Sequence, residues 1–191
     1  MSDCLIVSQC VVEESQLKTV VGIVGNVSRP SKTRTLVSAI VEALSERTGY
    51  ATACFDIIDA QPELGASLYR GKTPGPLSEI LTAIETSGFL VVGSPTYKAS
   101  YTGLLKHLFD LLDMKSLKDR PVIVCATGKA VAHGPKVEQH FRMLFEFFDA
   151  RIAPQFIFAL DEDFTEDGRP SEALLQRIQE QVSNAGKIGL L

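Results

Sequence analysis

The stretch GNVSRPSKT, from Gly25 to Thr33, is the first place in the chain where residue types at close spacing could do chemistry. It follows an apolar run and leads into a segment of helical periodicity, so Ser28, Arg29, Ser31, Lys32 and Thr33 fall in or just before a first helical turn. Free backbone N–H groups and the positive end of a helix dipole attract anions at such a place. The hydroxyls of Ser31 and Thr33 can donate to phosphate oxygens, and Arg29 or Lys32 can neutralise charge. Taken alone, Ser31 reads more simply as a helix cap. The loop has no Gly-Lys-Ser/Thr ending, so it is not a Walker A loop, and Gly22 and Gly25 do not extend into G-x-G-x-x-G. Nucleoside triphosphates and Rossmann-bound dinucleotides therefore fit poorly, and a single phosphate monoester fits better.

A second unusual stretch is SPTYKASYTGLLKHLFD, from Ser94 to Asp110. Here Pro95 stiffens the chain, Tyr97 and Tyr101 offer aromatic faces, and Gly103 opens a helix. A third loop, from Thr127 to Gly134, begins with Thr127, Gly128 and Lys129. No catalytic residue and no metal site is assigned. His107, His133 and His140 lie far apart without metal-ligand spacing, and there is neither G-x-S-x-G nor a locally supported Cys–His pair. The carboxylates Asp161, Glu162, Asp163, Glu166 and Asp167 read as a solvated loop.

The elements that must position these loops follow from periodicity. TVVGIVG after Lys18 reads as a buried strand, Lys32–Glu46 as a helix stopped by Gly49, and Tyr50–Ile58 as a second strand. Asp59 to Pro76, rich in Gly and Pro, reads as an irregular excursion. Helices are expected over Leu77–Thr86, Leu104–Leu112, Pro135–Ala150 and Ser171–Ser183, and strands over Phe89–Gly93, Pro121–Ala126 and Ile152–Leu160. Five alternations of apolar strand and amphipathic helix predict an α/β flavodoxin-like three-layer sandwich, with a five-stranded parallel sheet in the order 2-1-3-4-5. Ligands of such sheets lie beyond the carboxyl ends of the strands where the order reverses. That rule selects the loops after strands one, three and four, which are the three stretches above.

Of the 191 residues, 45% are hydrophobic and 22% charged, enough for one core, with residues 18–191 as a single domain and 1–17 as a loose extension. A formal charge of −4 without a basic stripe argues against nucleic acid. No apolar run reaches the roughly 20 residues of a membrane span. Cys4, Cys10, Cys54 and Cys125 show no C-x-x-C spacing and read as free thiols, which suits a cytoplasmic protein.

The second loop resembles the SPxYxxSYxGxLKxxLD signature of the NADPH-dependent FMN reductases, in particular the small reductases that feed reduced flavin to sulfonate monooxygenases. RPSKT in the first loop, the ATG of Ala126–Gly128 and the following His133 match in the same order. The resemblance implies FMN, with NADPH or NADH as reductant. It places Ser31 and Thr33 on the phosphate, Pro95, Thr96 and Tyr97 along the flavin, and Thr127 and Gly128 against its ring. Lys98, Tyr101 and Arg70 lie nearby. Hydride transfer then belongs to the cofactor, and no acid–base residue is needed.

Two positions depart from or vary within that pattern. Lys129 stands where relatives often have a second glycine, and its side chain reads as solvated. His140 stands where some relatives carry an aromatic residue in a locally widened helix at a subunit contact. Homodimers or homotetramers are implied, and the helix bearing Phe141, Phe145, Phe147 and Phe148 has aromatic surface to spare. A flavin-dependent monooxygenase is the implied partner. The alternatives are a reductase of quinones, azo dyes or metal ions that retains its FMN, and a flavodoxin-type electron carrier that uses no NAD(P)H.

Overall fold

The structure, a computed structural model, describes residues 18–71 and 75–190. The extension read at 1–17, with Cys4 and Cys10, lies outside the described residues. Five segments follow their sequence patterns closely: β1 (Thr19–Val24), α1 (Lys32–Thr48), β2 (Ala51–Asp56), α3 (Pro76–Thr86) and β3 (Phe89–Pro95). Further on lie α4 (Gly103–Asp110), β4 (Pro121–Thr127), α5 (Gly134–Phe147), β5 (Arg151–Ile152), β6 (Ile157–Ala159) and α6 (Glu172–Lys187). The excursion after β2 is less irregular than its composition suggests. It holds a 3-10 turn at Ile57–Ala60 and the short helix α2 (Glu63–Ala66), anchored by buried Ile57, Ala60 and Leu64.

All strand pairs are parallel, in the order β2-β1-β3-β4-β5, with β6 also pairing with β4. Alternate residues of each strand point to opposite faces. Val21, Ile23, Leu90 and Val92 pack beneath α3, α4 and α5, while Val20, Val24, Phe89 and Val91 pack beneath α1 and α6. Both faces of the sheet are thus covered, which is why its strands read as unbroken apolar runs.

The fifth strand differs from the expected continuous run over Ile152–Leu160. Pro154 has no N–H to give the ladder, and the chain leaves the edge between β5 and β6. In the gap, Arg142 Nη2 donates to the Pro154 carbonyl at 2.7 Å and Gln181 Nε2 to that of Gln155 at 2.9 Å. His140 sits in a regular helix, since α5 is α-helical from Gly134 to Phe147.

Candidate functional site

Parallel strands ending side by side bring the three loops together. The pairings Val24↔Gly93 and Pro95↔Thr127 set β1, β3 and β4 level at their carboxyl ends. Hydrogen bonds then cross from loop to loop. Thr102 Oγ1 donates to the Gly25 carbonyl at 2.8 Å, Thr96 N to the Thr127 carbonyl at 2.8 Å, and Gly128 N to the Ala159 carbonyl at 3.0 Å. The hydroxyls of Thr33 and Thr127 lie 2.6 Å apart, joining the first turn of α1 to the end of β4. Ser31 is the N-cap of α1, its Oγ accepting from Arg34 N at 3.2 Å. The simple capping role read for Ser31 is therefore present.

Two buried polar atoms at this edge have no hydrogen-bond partner among the described residues. One is Oδ1 of Asn26, a residue 3% exposed, whose Nδ2 donates to the Ser28 carbonyl at 2.9 Å. The other is Thr96 Oγ1. Burying such atoms unpaired costs free energy, so each is a polar group whose partner the protein itself does not supply. Gly128 lies close by with no room for a side chain, since a Cβ there would stand 2.5 Å from Phe158 Cζ and 3.3 Å from Thr96 Oγ1.

The loop after β3 turns sharply over Tyr97–Ser100. Tyr97 N donates to the Ser100 carbonyl at 2.8 Å and Ser100 N to that of Tyr97 at 3.0 Å, with Lys98 at φ 52° and Ala99 at φ 64°. Two left-handed residues in succession define a tight hairpin turn, here without the glycine that usually serves it. Ser100 Oγ also lies 2.8 Å from His140 Nδ1 on α5. The turn holds Tyr97 half out of the protein, at 50% exposure, with Lys98 exposed beside it. Tyr101 behaves differently. Its ring packs on Phe141, with centroids 5.0 Å apart, and edge-on to His140, which places it against α5 rather than free at the loop edge.

The cations of the first loop are not free. Arg29 Nε bonds to Asp56, whose side chain is inaccessible, and Nη2 donates to both oxygens of Asp59 at 2.7 and 2.9 Å. Arg34 Nη1 reaches the second oxygen of Asp56 at 2.9 Å. Burial pushes the Asp59 carboxyl up, yet the Asp56 backbone N–H and Arg29 outweigh it and hold the carboxyl below its ordinary range. Lys32 Nζ lies 2.8 Å from Asp161 Oδ1 and 5.6 Å from the centre of the Phe164 ring. Its hydrogen bond lowers the Asp161 carboxyl, and Lys129 adds to the effect from a distance. Arg70, expected near the site, is instead paired bidentately with Glu85 on α3.

Of the thirteen residues singled out from the sequence, Ser31, Thr33, Pro95, Thr96, Tyr97, Thr127 and Gly128 are brought together, and Ser28 joins them through Asn26. Lys98 and Lys129 stand exposed at the rim. The guanidinium of Arg29, the ammonium of Lys32 and the ring of Tyr101 have protein partners of their own. The sequence reading passed over Asn26, although the first polar residue after a buried strand was a signal in plain view. It also set aside Asp161 and Asp163 as solvated loop. Asp161 in fact pairs with Lys32, and Asp163 accepts from Leu160 N at 2.7 Å and from Arg177 at 2.8 Å.

Comparison with known proteins gives a consistent result. The family model for NADPH-dependent FMN reductase matches residues 19–165. The chain is 37% identical over 169 residues to an FMN reductase (NADPH) of Pseudomonas aeruginosa, covering 88% of this chain and 91% of that one. It is also 37% identical to the NADH-dependent FMN reductase SfnF of Pseudomonas fluorescens, covering 88% and 90%. Among solved structures, an oxidoreductase from Corynebacterium diphtheriae superposes with a TM-score of 0.77 at 30% identity, over 91% of this chain and 97% of that one. With the three loops of the signature joined at the switch point of the sheet, the chain belongs to the NADPH-dependent FMN reductase family.

Proposed function

We propose that this chain reduces FMN with NADPH or NADH and passes the reduced flavin to a partner monooxygenase. The observation that carries the reading is the closure of the loops after β1, β3 and β4 around the two unpaired polar atoms, Asn26 Oδ1 and Thr96 Oγ1. FMN, when bound, supplies the redox chemistry by accepting a hydride from the reduced nicotinamide. The chain's own contribution is to bind, orient and shape. The free N–H groups of α1 and the hydroxyls of Ser28, Ser31 and Thr33 would take the phosphate, and Asn26 Oδ1 would accept from a hydroxyl of the ribityl chain. Pro95, Thr96, Tyr97, Thr127 and Gly128 would frame the ring. Lys98 and Lys129 at the rim raise the local potential toward an anionic dinucleotide.

Tyr97 tests the ring-framing role. Half exposed, it adds little to the core, so Tyr97→Ala is expected to lower kcat/KM for NADPH with FMN by about tenfold or more while the apoprotein's melting temperature stays within about 2 °C. Normal kinetics with a clear drop in melting temperature would make Tyr97 a packing residue. For the reaction as a whole, NADPH oxidation is measured with and without added FMN. Turnover that requires added flavin, with the flavin leaving the protein on gel filtration, supports a diffusing product. Tight retention of FMN with turnover on a second acceptor would instead point to a quinone, azo-dye or metal-ion reductase. Flavin binding without any NADPH oxidation would leave an electron carrier.

The reading extends to assembly and place of work. α4 and α5 flank a cavity of about 610 Å³ whose outer wall is Met114, Met143 and Phe147, exposed by 68%, 60% and 63%. Phe141, Phe145 and Phe148 turn inward, so Phe147 is the aromatic residue α5 leaves over. This face would join copies into a homodimer or homotetramer, and Phe147→Glu is expected to lower the mass measured by light scattering toward that of one chain. Cys54 and Cys125 are free, which fits work in a reducing cytosol, and no described helix is long and apolar enough to cross a membrane.

A further inference from the structure

We infer that Asp161 and Asp59 set how weakly the flavin phosphate is held, by competing with it for the two cations of the first loop. The inference rests on the reading that residues 26–33 take the phosphate. A phosphate monoester brings between one and two negative charges at neutral pH. A loop built to retain it would keep its cations free and aimed inward. In this chain both cations already have carboxylate partners, Asp161 on Lys32 at 2.8 Å and Asp59 on Arg29 at 2.7 Å.

The three carboxylates around the loop are not equivalent. Asp56 is inaccessible and bridges Arg29 to Arg34, so it belongs to the architecture of the loop. The side chain of Asp161 is 66% exposed and, among the described residues, its carboxylate bonds only to Lys32, so it can yield that cation to an incoming anion. Asp59 is intermediate, 34% exposed, and its Oδ2 also caps the Asp56 backbone N–H at 2.8 Å. Each competitor lowers the net attraction for phosphate without blocking the pocket. Weak retention is what a reductase needs when its reduced product must leave for another enzyme.

A carboxylate that held its cation where the ligand needs it would give the opposite sign, and the test separates the two. FMN and riboflavin, which lacks the phosphate, are titrated by fluorescence into wild type, Asp161→Asn and Asp59→Asn at low and high salt. Freed from an exposed ion pair, Lys32 should tighten FMN binding in Asp161→Asn about two- to fivefold at low salt. The gain should fade at high salt, where exposed charges are screened, and riboflavin affinity should not change. Asp59→Asn, whose amide oxygen can still cap Asp56, should act in the same direction. Stopped-flow release of FMN should slow to match. Unchanged or weaker FMN binding in both variants overturns the inference. Ser31→Ala with Thr33→Ala, measured alongside, shows which idea has failed. If that double variant loses FMN affinity while Asp161→Asn gains none, competition is wrong and the phosphate site stands. If it binds FMN like wild type, the phosphate site itself is wrong.

Discussion

Ser31→Ala combined with Thr33→Ala is expected to raise the dissociation constant for FMN by on the order of a hundredfold or more, because each lost hydrogen bond to a charged phosphate is worth roughly 1.5–3 kcal/mol. The same hydroxyls have work to do in the fold. Ser31 caps α1, and Thr33, 2% exposed, shares its short contact with Thr127. Losing the cap costs about 1 kcal/mol and the buried hydroxyl about as much again. At about 2–4 °C per kcal/mol for a chain of this size, the apoprotein should melt roughly 4–8 °C lower. Affinity should thus fall far more than stability. A fluorescence titration and a thermal melt on the same preparations check it, and a lowered melting temperature with unaltered FMN binding would confine both hydroxyls to the fold.

The largest expected effect on stability comes from Gly93→Ala. A Cβ at Gly93 would overlap Val37 Cγ2 outright and stand 2.9 Å from Cys125 Sγ and 3.5 Å from Thr33 Cγ2. Val37 on α1 and Cys125 on β4 are fully buried, so neither can step aside into solvent. Overpacking of this kind costs roughly 1–3 kcal/mol, and pushing α1 outward would also disturb Thr33. Adding Val37→Ala removes the clashing methyl. The double variant should therefore be less destabilised than the two single losses added together. Denaturation midpoints of the four proteins form the cycle, and strict additivity would mean that α1 does not press on β3 at this point.

How much could be read from the sequence depends on how far each feature reaches along the chain. α1 was legible because its signals are local: apolar spacing, a serine at the start, a glycine past the end. The sheet order was legible because buried β-branched runs alternated with helices, and the loops after β1, β3 and β4 followed from that order. The directions of Arg29 and Lys32 were not legible. Their partners Asp56 and Asp161 stand 27 and 129 residues away, and only the folded sheet brings them together. Tyr101 sits inside a motif that the resemblance places along the flavin, yet contact with Phe141 draws its ring to α5.

The break at Pro154 bears on how copies of the chain can meet. An unbroken fifth strand would offer its whole outer edge as a template for another strand, whereas here that side presents two residues, a gap and three more. Within the gap the carbonyls of Pro154 and Gln155 are already taken by Arg142 from α5 and Gln181 from α6, one from each helical layer. Joining two sheets edge to edge on this side would require both contacts to be given up for a ladder that Pro154 cannot complete. Encounters between molecules are thereby turned away from backbone pairing on this side of the sheet and toward the side-chain surfaces of the helices, where the identity of each residue can decide which neighbour is accepted.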